Sequence, residues 1–224
     1  MAPDRLRAAI RQLGTLHGKP EPPPSNDAFE LVLFENVAYL ATPERRHAAF
    51  ELLRQSIGTE PKAILSASRT QLERVTAHGI LKARFAEKLR QCARIACDAF
   101  ENRLDEVLDR SLAEARRALR RFPGIGVPGA ERILLFTGRL KSLAPESNGL
   151  RVLTRLGVID AESSYARSYA AGVAAGAALA QTTAALSQAH ALLRHHGQTM
   201  CRAKAPLCGT CSLRPDCAYA SPAR

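Results

Sequence analysis

The chain has 224 residues, enough to bury a sizeable core either as one large domain or as two small ones sharing a cleft. A formal charge of +11 favours a polyanionic partner. The first sixteen residues carry Arg5, Arg7 and Arg11 without an uninterrupted apolar core, so no secretory signal is read and a cytoplasmic, nucleoid-associated setting is expected.

In chain order, residues 1–17 read as a short amphipathic helix, followed by a stiff linker, Lys19-Pro-Glu-Pro-Pro-Pro24. Ser25 and Asp27 are caps for an apolar helix through Leu40, and Thr42-Pro43 starts another with proline at its first position. Helices are predicted over 60–66, over 69–78 with Gly79 as its stop, and over 82–104, 108–122, 127–137 and 147–156. A long stretch over 162–195, in one piece or two, leads into a cysteine-rich loop. No segment alternates with period two over any length, so the expected fold class is all-α. Residues 168–189 are uncharged, and Gly172 and Gly176 form G-x-x-x-G. Alanine, glycine and polar Gln181, Thr182 and Thr183 supply too little transfer energy for a membrane span, however, and a helix with small residues at a close crossing is expected.

The positive charge is concentrated. Between Arg110 and Gly157 ten Lys and Arg residues stand against Glu114, Glu131 and Glu146, a pattern of a phosphate-facing surface, with a solvated helix face as the alternative. Inside that window lies the hairpin Phe122-Pro-Gly-Ile-Gly126. Pro123 turns the chain, while Gly124 and Gly126 permit backbone angles that a side chain would oppose, so that amides point outward at the start of the next helix. Such a backbone site can meet a phosphate directly or through a cation, although many helical hairpins need such glycines for packing alone.

The most specific feature is C-x6-C-x2-C-x5-C, formed by Cys201, Cys208, Cys211 and Cys217. Four thiolates within 17 residues can converge on one centre without the rest of the chain. Zinc sites more often pair two short C-x2-4-C knuckles, and only one is present, so the spacing favours a [4Fe-4S] cluster. Cys92 and Cys97 lie on a helical stretch and read as small buried apolar groups.

The hairpin followed by an apolar helix resembles the helix-hairpin-helix of the endonuclease III superfamily of DNA glycosylases, and the cysteine spacing is similar to that family's iron-sulfur loop. The resemblance extends to Phe29-Glu-Leu-Val-Leu33, Leu150-Arg-Val-Leu-Thr-Arg-Leu-Gly157 and Leu192-Leu-Arg-His-His-Gly197, and covers residues 25–220. It implies two helical domains flanking a DNA-binding cleft. One is a six-helix bundle over 25–140 with the hairpin near 108–137, and the other is 1–24 plus 141–224 with a [4Fe-4S] loop. It also implies a base-excision-repair enzyme, expected to be monomeric, that flips a damaged or mismatched base from double-stranded DNA and cuts its N-glycosidic bond.

Two positions qualify that expectation. Bifunctional members use a lysine in the hairpin's second helix to form a Schiff base, and Pro128 stands at that position. The catalytic aspartate aligns with Glu146, 18 residues further on, where a carboxylate can stabilise charge on the sugar or activate water. The expectation is therefore a monofunctional DNA N-glycosylase with Glu146 as catalytic residue. A non-catalytic binder of damaged or distorted DNA is the alternative, and a bifunctional enzyme with a displaced amine stands third. Lys141 lies outside the motif. DNA contacts are expected from Gly124, Ile125, Gly126, Arg132 and Arg151, from Arg202 and Lys204 in the cysteine loop, and from Tyr39 and Ile80 as wedges, with a core role as the alternative for both wedges.

Overall fold

The computed structural model describes residues 2–221, leaving Met1 and residues 222–224 of the expected domain spans outside the described residues. Twelve α-helices and three 3-10 turns appear among the described residues, with no strand. The fold class is all-α. The chain divides into two compact units, with boundaries between Pro22 and Pro23 and between Arg139 and Leu140.

The central unit, 23–139, is built around α2 (Ala28–Val37), eight of whose ten residues are buried. Its N-terminus is capped by Asp27, whose carboxylate accepts from the Glu30 amide at 2.8 Å. Helix α2 packs against α3 (Pro43–Ser56), α6 (Lys82–Phe100), α7 (Leu104–Leu108) and α9 (Val127–Phe136). Helix α6 also carries α4 (Pro61–Ser66) and α5 (Arg69–Thr76), and α8 (Leu112–Leu119) lies between α7 and α9 in sequence and packs on both. Phe50, Leu89, Leu119, Phe122 and Ile133 fill the core with almost no exposure. This unit holds eight helices rather than six. Helix α4 has six residues and falls at the 60–66 predicted from the sequence, whereas α7, with five, is too short to show a helical repeat there.

Several boundaries differ from the sequence expectation for identifiable reasons. Helix α6 ends at Phe100 because Glu101 and Asn102 turn left-handed, at φ 50° and 61°, and their amides return to Cys97 O and Ala96 O. Helix α2 ends at Val37, and Leu40 beyond it is left-handed at φ 52°. Gly79 has no positive φ; a Cβ there would stand 2.5 Å from the Tyr39 amide nitrogen, so glycine is needed for a close approach of two loops.

The second unit joins α1 (Ala2–His17) to α10 (Ser147–Arg155), α11 (Tyr165–Ala175) and α12 (Thr183–Thr199), ending in the cysteine loop. The long stretch expected over 162–195 is two helices, separated by a 3-10 turn at Gly176–Ala178 and restarted by the Thr182 hydroxyl, which accepts from the Ala185 amide at 3.2 Å. The G-x-x-x-G glycines serve a close approach: a Cβ on Gly172 would stand 2.7 Å from Leu150 Cδ2, and one on Gly176 2.4 Å from Leu143 Cβ. Helix α12 crosses α10 as tightly, since a Cβ on Gly197 would meet Asn148 O at 2.6 Å. Thus three glycines clamp the segment 143–150 that carries Glu146. Among the described residues no helix is long and apolar enough to cross a membrane.

Candidate functional site

In the central unit, the hairpin between α8 and α9 is held by Phe122, a buried ring stacked on Phe100 at 5.7 Å between centroids. Gly124 adopts φ +78° and packs on Asn36, whose Oδ1 would lie 3.1 Å from a Cβ. Gly126, by contrast, is the extended N-cap of α9 at φ −89°, a conformation any residue adopts. Ile125 is buried against the unit, so the hairpin presents backbone rather than this side chain. Pro128 occupies the second helical position of α9, carries no amine and donates no amide, leaving Val127 and Gly129 as first-turn donors.

Arg132, expected on the DNA-facing surface, is turned inward. Its guanidinium makes a two-point pair with Glu35, Nε to Oε1 at 3.1 Å and Nη2 to Oε2 at 2.7 Å, with 12 % of the side chain exposed. Arg116 likewise pairs with the buried Glu131 at 2.6 Å, fastening α8 to α9. Both pairs brace the hairpin helices. Arg120 and Arg121 remain exposed beside the turn.

The loops after α2 and α5 meet where the Ile80 amide donates to Tyr39 O at 3.0 Å. Tyr39 stacks on Phe85 at 4.8 Å and 11°, and Lys88 Nζ lies over the same Phe85 ring at 4.4 Å. Ile80 is half exposed, and the most exposed apolar side chain of the tip is Leu40, at 71 %. Leu40 was not singled out by the sequence, because it reads as the last turn of an apolar helix, whereas in the fold it is the reversed residue after that helix.

In the second unit, Glu146 is the N-cap of α10. Its Oε1 accepts from the Gly149 amide at 3.0 Å and its Oε2 from Asn148 Nδ2 at 2.8 Å. The preceding residue pair is tied down as well, since the ring Nδ1 of the buried His190 bonds Ala144 O at 2.8 Å. Lys141 is exposed on the connection between α9 and α10.

From Glu146 a continuous set of bonds runs to the cysteines. Arg151 Nη2 donates to Asn148 Oδ1 and to Gly197 O, both at 2.7 Å, and Arg151 Nε donates to Cys201 O at 2.9 Å. Arg151, expected to contact DNA, is thus a strut between α10, α12 and the loop. One turn on, Arg155 donates to Arg202 O at 2.8 Å and Ala203 O at 3.2 Å, approaches Cys201 Sγ at 3.5 Å and lies over the Tyr219 ring. Arg202 and Lys204 are exposed on the loop, where a phosphate can reach them.

All four cysteines line one small cavity together with Val152, Leu156, Met200 and Leu213. Burial, with the other three thiols beside it, raises the Cys211 thiol above its ordinary range. His196 closes the cavity, with Nε2 at 3.6 Å from Cys211 Sγ; burial and the neighbouring His17 and His195 push its ring down to about 4. Among the described residues no three His, Cys, Asp or Glu side chains stand close enough, as they are, for a single metal ion. The donor set of four thiols around one apolar cavity fits a four-thiolate group. Cys92 is buried in α6, its thiol pushed up to about 12 by burial, and takes no part.

No protein-family model matches the sequence, and a search of curated proteins finds no match. Solved structures do match. A trapped endonuclease III–DNA covalent intermediate aligns with TM-score 0.77 and 16% identity, over 99% of this chain and 98% of that one. The chain has the endonuclease III fold. A non-covalent endonuclease III–DNA complex aligns equally well, at TM-score 0.77 and 16% identity over 99% of this chain and 97% of that one. A thermostable thymine-DNA glycosylase matches at TM-score 0.76 and 15% identity over 97% of each chain. The endonuclease III fold therefore spans both units of this chain.

Proposed function

We propose that the protein is a base-excision-repair DNA N-glycosylase that acts by hydrolysis from Glu146, with no lysine-based strand cleavage. The observation that carries this reading is the placement of Glu146. Its carboxylate is fixed at the α10 N-terminus by Gly149 and Asn148, on a segment clamped by glycines and by His190. Cleavage of a glycosidic bond builds positive charge on the deoxyribose, and a preorganised anion opposes that charge without first having to reorient. Pro128 supports the monofunctional assignment, because the helix that would offer a lysine there offers a proline. The match to structures described as DNA complexes supports double-stranded DNA as partner, and the exposed Arg120, Arg121, Arg202 and Lys204 supply cations for its phosphates. Leu40 and Ile80 offer an apolar tip of the kind that enters a base stack where a nucleotide has been extruded.

Cys201, Cys208, Cys211 and Cys217 are the proposed ligands of a [4Fe-4S] cluster. Such a group, when bound, supplies four iron–thiolate bonds that hold the loop closed. The arginines do the remaining work: Arg155 gathers the loop carbonyls and Arg151 ties the loop to the Glu146 segment.

A non-catalytic binder of damaged or distorted DNA is the second reading. It is favoured by the double engagement of Glu146, whose two oxygens already accept bonds within α10.

The test uses purified protein with duplexes bearing oxidised pyrimidines, deaminated bases, alkylated purines or mismatches, scored before and after alkali. Alkali-dependent cleavage that disappears in Glu146→Gln supports the hydrolytic reading. Salt-sensitive binding without base release on any duplex supports the second, and cleavage without alkali, with borohydride trapping, would refute both. Brown protein containing iron and acid-labile sulfide supports the cluster, whereas colourless protein with one zinc per chain would overturn it.

A further inference from the structure

His17 ends α1, and His195 and His196 lie in the last turns of α12, so three imidazoles from opposite ends of the sequence meet beside the cysteine cavity. His17 Nε2 and His196 Nδ1 are 3.0 Å apart, and the other ring nitrogen of His196 stands 3.6 Å from Cys211 Sγ. His195 packs edge-on against His17 at 4.7 Å between centroids. His196 is 1 % exposed, so water does not compete for its ring nitrogens.

The chemistry gives this chain of contacts a direction. A neutral imidazole carries one N–H, and a metal-bound thiolate only accepts. If Cys211 is a thiolate ligand, His196 must hold its proton on Nε2 and donate to sulfur, which leaves Nδ1 as acceptor. His17 must then present Nε2–H to that lone pair. Each hydrogen bond thereby fixes the tautomer of the next ring.

We propose that His17 and His196 form a directional hydrogen-bond relay onto Cys211 that tunes the cluster: His196 is the donor to the ligand sulfur and His17 the positioning residue that holds His196 in the donating tautomer. The proposal rests on the four-cysteine reading given above. A hydrogen bond to a ligand sulfur stabilises the more negative, reduced state of a cluster, so the relay raises its reduction potential. Arg155 addresses a different ligand, Cys201; at Cys211 the Leu213 backbone also bonds the sulfur, and His196 is the side chain that stands against it.

The experiment compares the unmodified protein with His196→Leu, His17→Phe and His17→Gln, measuring iron and acid-labile sulfide per chain and the cluster midpoint potential by film voltammetry. His17 is half exposed at a helix end, so its variants fold even if His196→Leu does not. The expected result is a full cluster in the His17 variants, a potential shifted negative in His17→Phe and His196→Leu, and a value restored in His17→Gln, whose amide N–H can still donate to Nδ1. An unmoved potential in His17→Phe with the cluster intact overturns the relay, as does an equal shift in both His17 variants. Absence of iron and sulfide from the unmodified protein removes the four-cysteine reading and the relay with it, an outcome distinct from an intact cluster with an unmoved potential.

Discussion

Asn148 and Arg151, one turn apart on α10, share a hydrogen bond of 2.7 Å that makes two otherwise separate features continuous. Asn148 donates to the Glu146 carboxylate through its amide nitrogen, and Arg151 bonds Gly197 O and Cys201 O through its guanidinium. The carboxylate and the backbone of the first cysteine are therefore positioned by the same planar fork. Lysine, with one flexible ammonium, cannot reach all three acceptors in that geometry.

Replacing Arg151 with methionine leaves those acceptors without their donor while keeping much of the aliphatic volume. Hydrogen bonds to a charged group each contribute about 1.5–3 kcal/mol, so with three lost a destabilisation of at least about 3 kcal/mol is expected. Urea unfolding of Arg151→Met reads this loss, and Arg151→Lys is expected to recover less than half of it.

Glu146 combines a cap with a proposed chemical role, and two substitutions separate them. Glutamine keeps an oxygen for the Gly149 amide but presents an amide N–H where Asn148 Nδ2 donates, so Glu146→Gln is expected to keep the cap and lose only the Asn148 bond, about 1 kcal/mol, while Glu146→Ala loses both, about 2 kcal/mol. Both are expected to lose base release. Thermal unfolding beside the glycosylase assay checks the pair, and a melting loss in the glutamine variant equal to that in the alanine variant would count against the cap.

The two hairpin glycines are expected to respond differently. Gly124→Ala forces a side chain into φ +78° and within 3.1 Å of Asn36 Oδ1, a cost of about 1–2 kcal/mol. Gly126→Ala meets only Pro128 Cδ at 3.8 Å and is expected to change stability by less than about 0.5 kcal/mol. Denaturant midpoints of the two variants decide this.

Acid stability is expected to depend on Glu30. Burial opposes its charged form, but hydrogen bonds from Arg54, Ser25 and Thr59 outweigh it and hold the carboxyl below its ordinary value of 4.5. A depressed carboxylate binds fewer protons folded than unfolded, so its contribution is complete above 4.5 and is lost as pH falls through the lower folded value. Stability measured from pH 6 downward is expected to fall less steeply below 4.5 in Glu30→Gln than in the parent.

Local features were legible in the sequence because they depend on residues a few positions apart. Asp27 and Thr42 cap their helices through side chains three residues from the amides they meet. The hairpin turn and the cysteine spacing belong to the same class. Gly79 was legible as a break but not as a contact, since the Tyr39 backbone it admits lies forty residues away.

The sequence by itself determined an all-helical chain, a basic hairpin, a four-thiol loop, Pro128 at the start of the helix after the hairpin and Glu146 18 residues beyond it. Only the tertiary structure decided what the charged and polar side chains do. Arg132 and Arg151 are identical to surface arginines as letters, yet one closes on Glu35 and the other on Asn148, Gly197 and Cys201. His17 meets His196 across nearly the whole chain. A guanidinium or imidazole takes its role from the acceptors within about 3 Å of it, and those acceptors are set by helix packing rather than by neighbours in sequence.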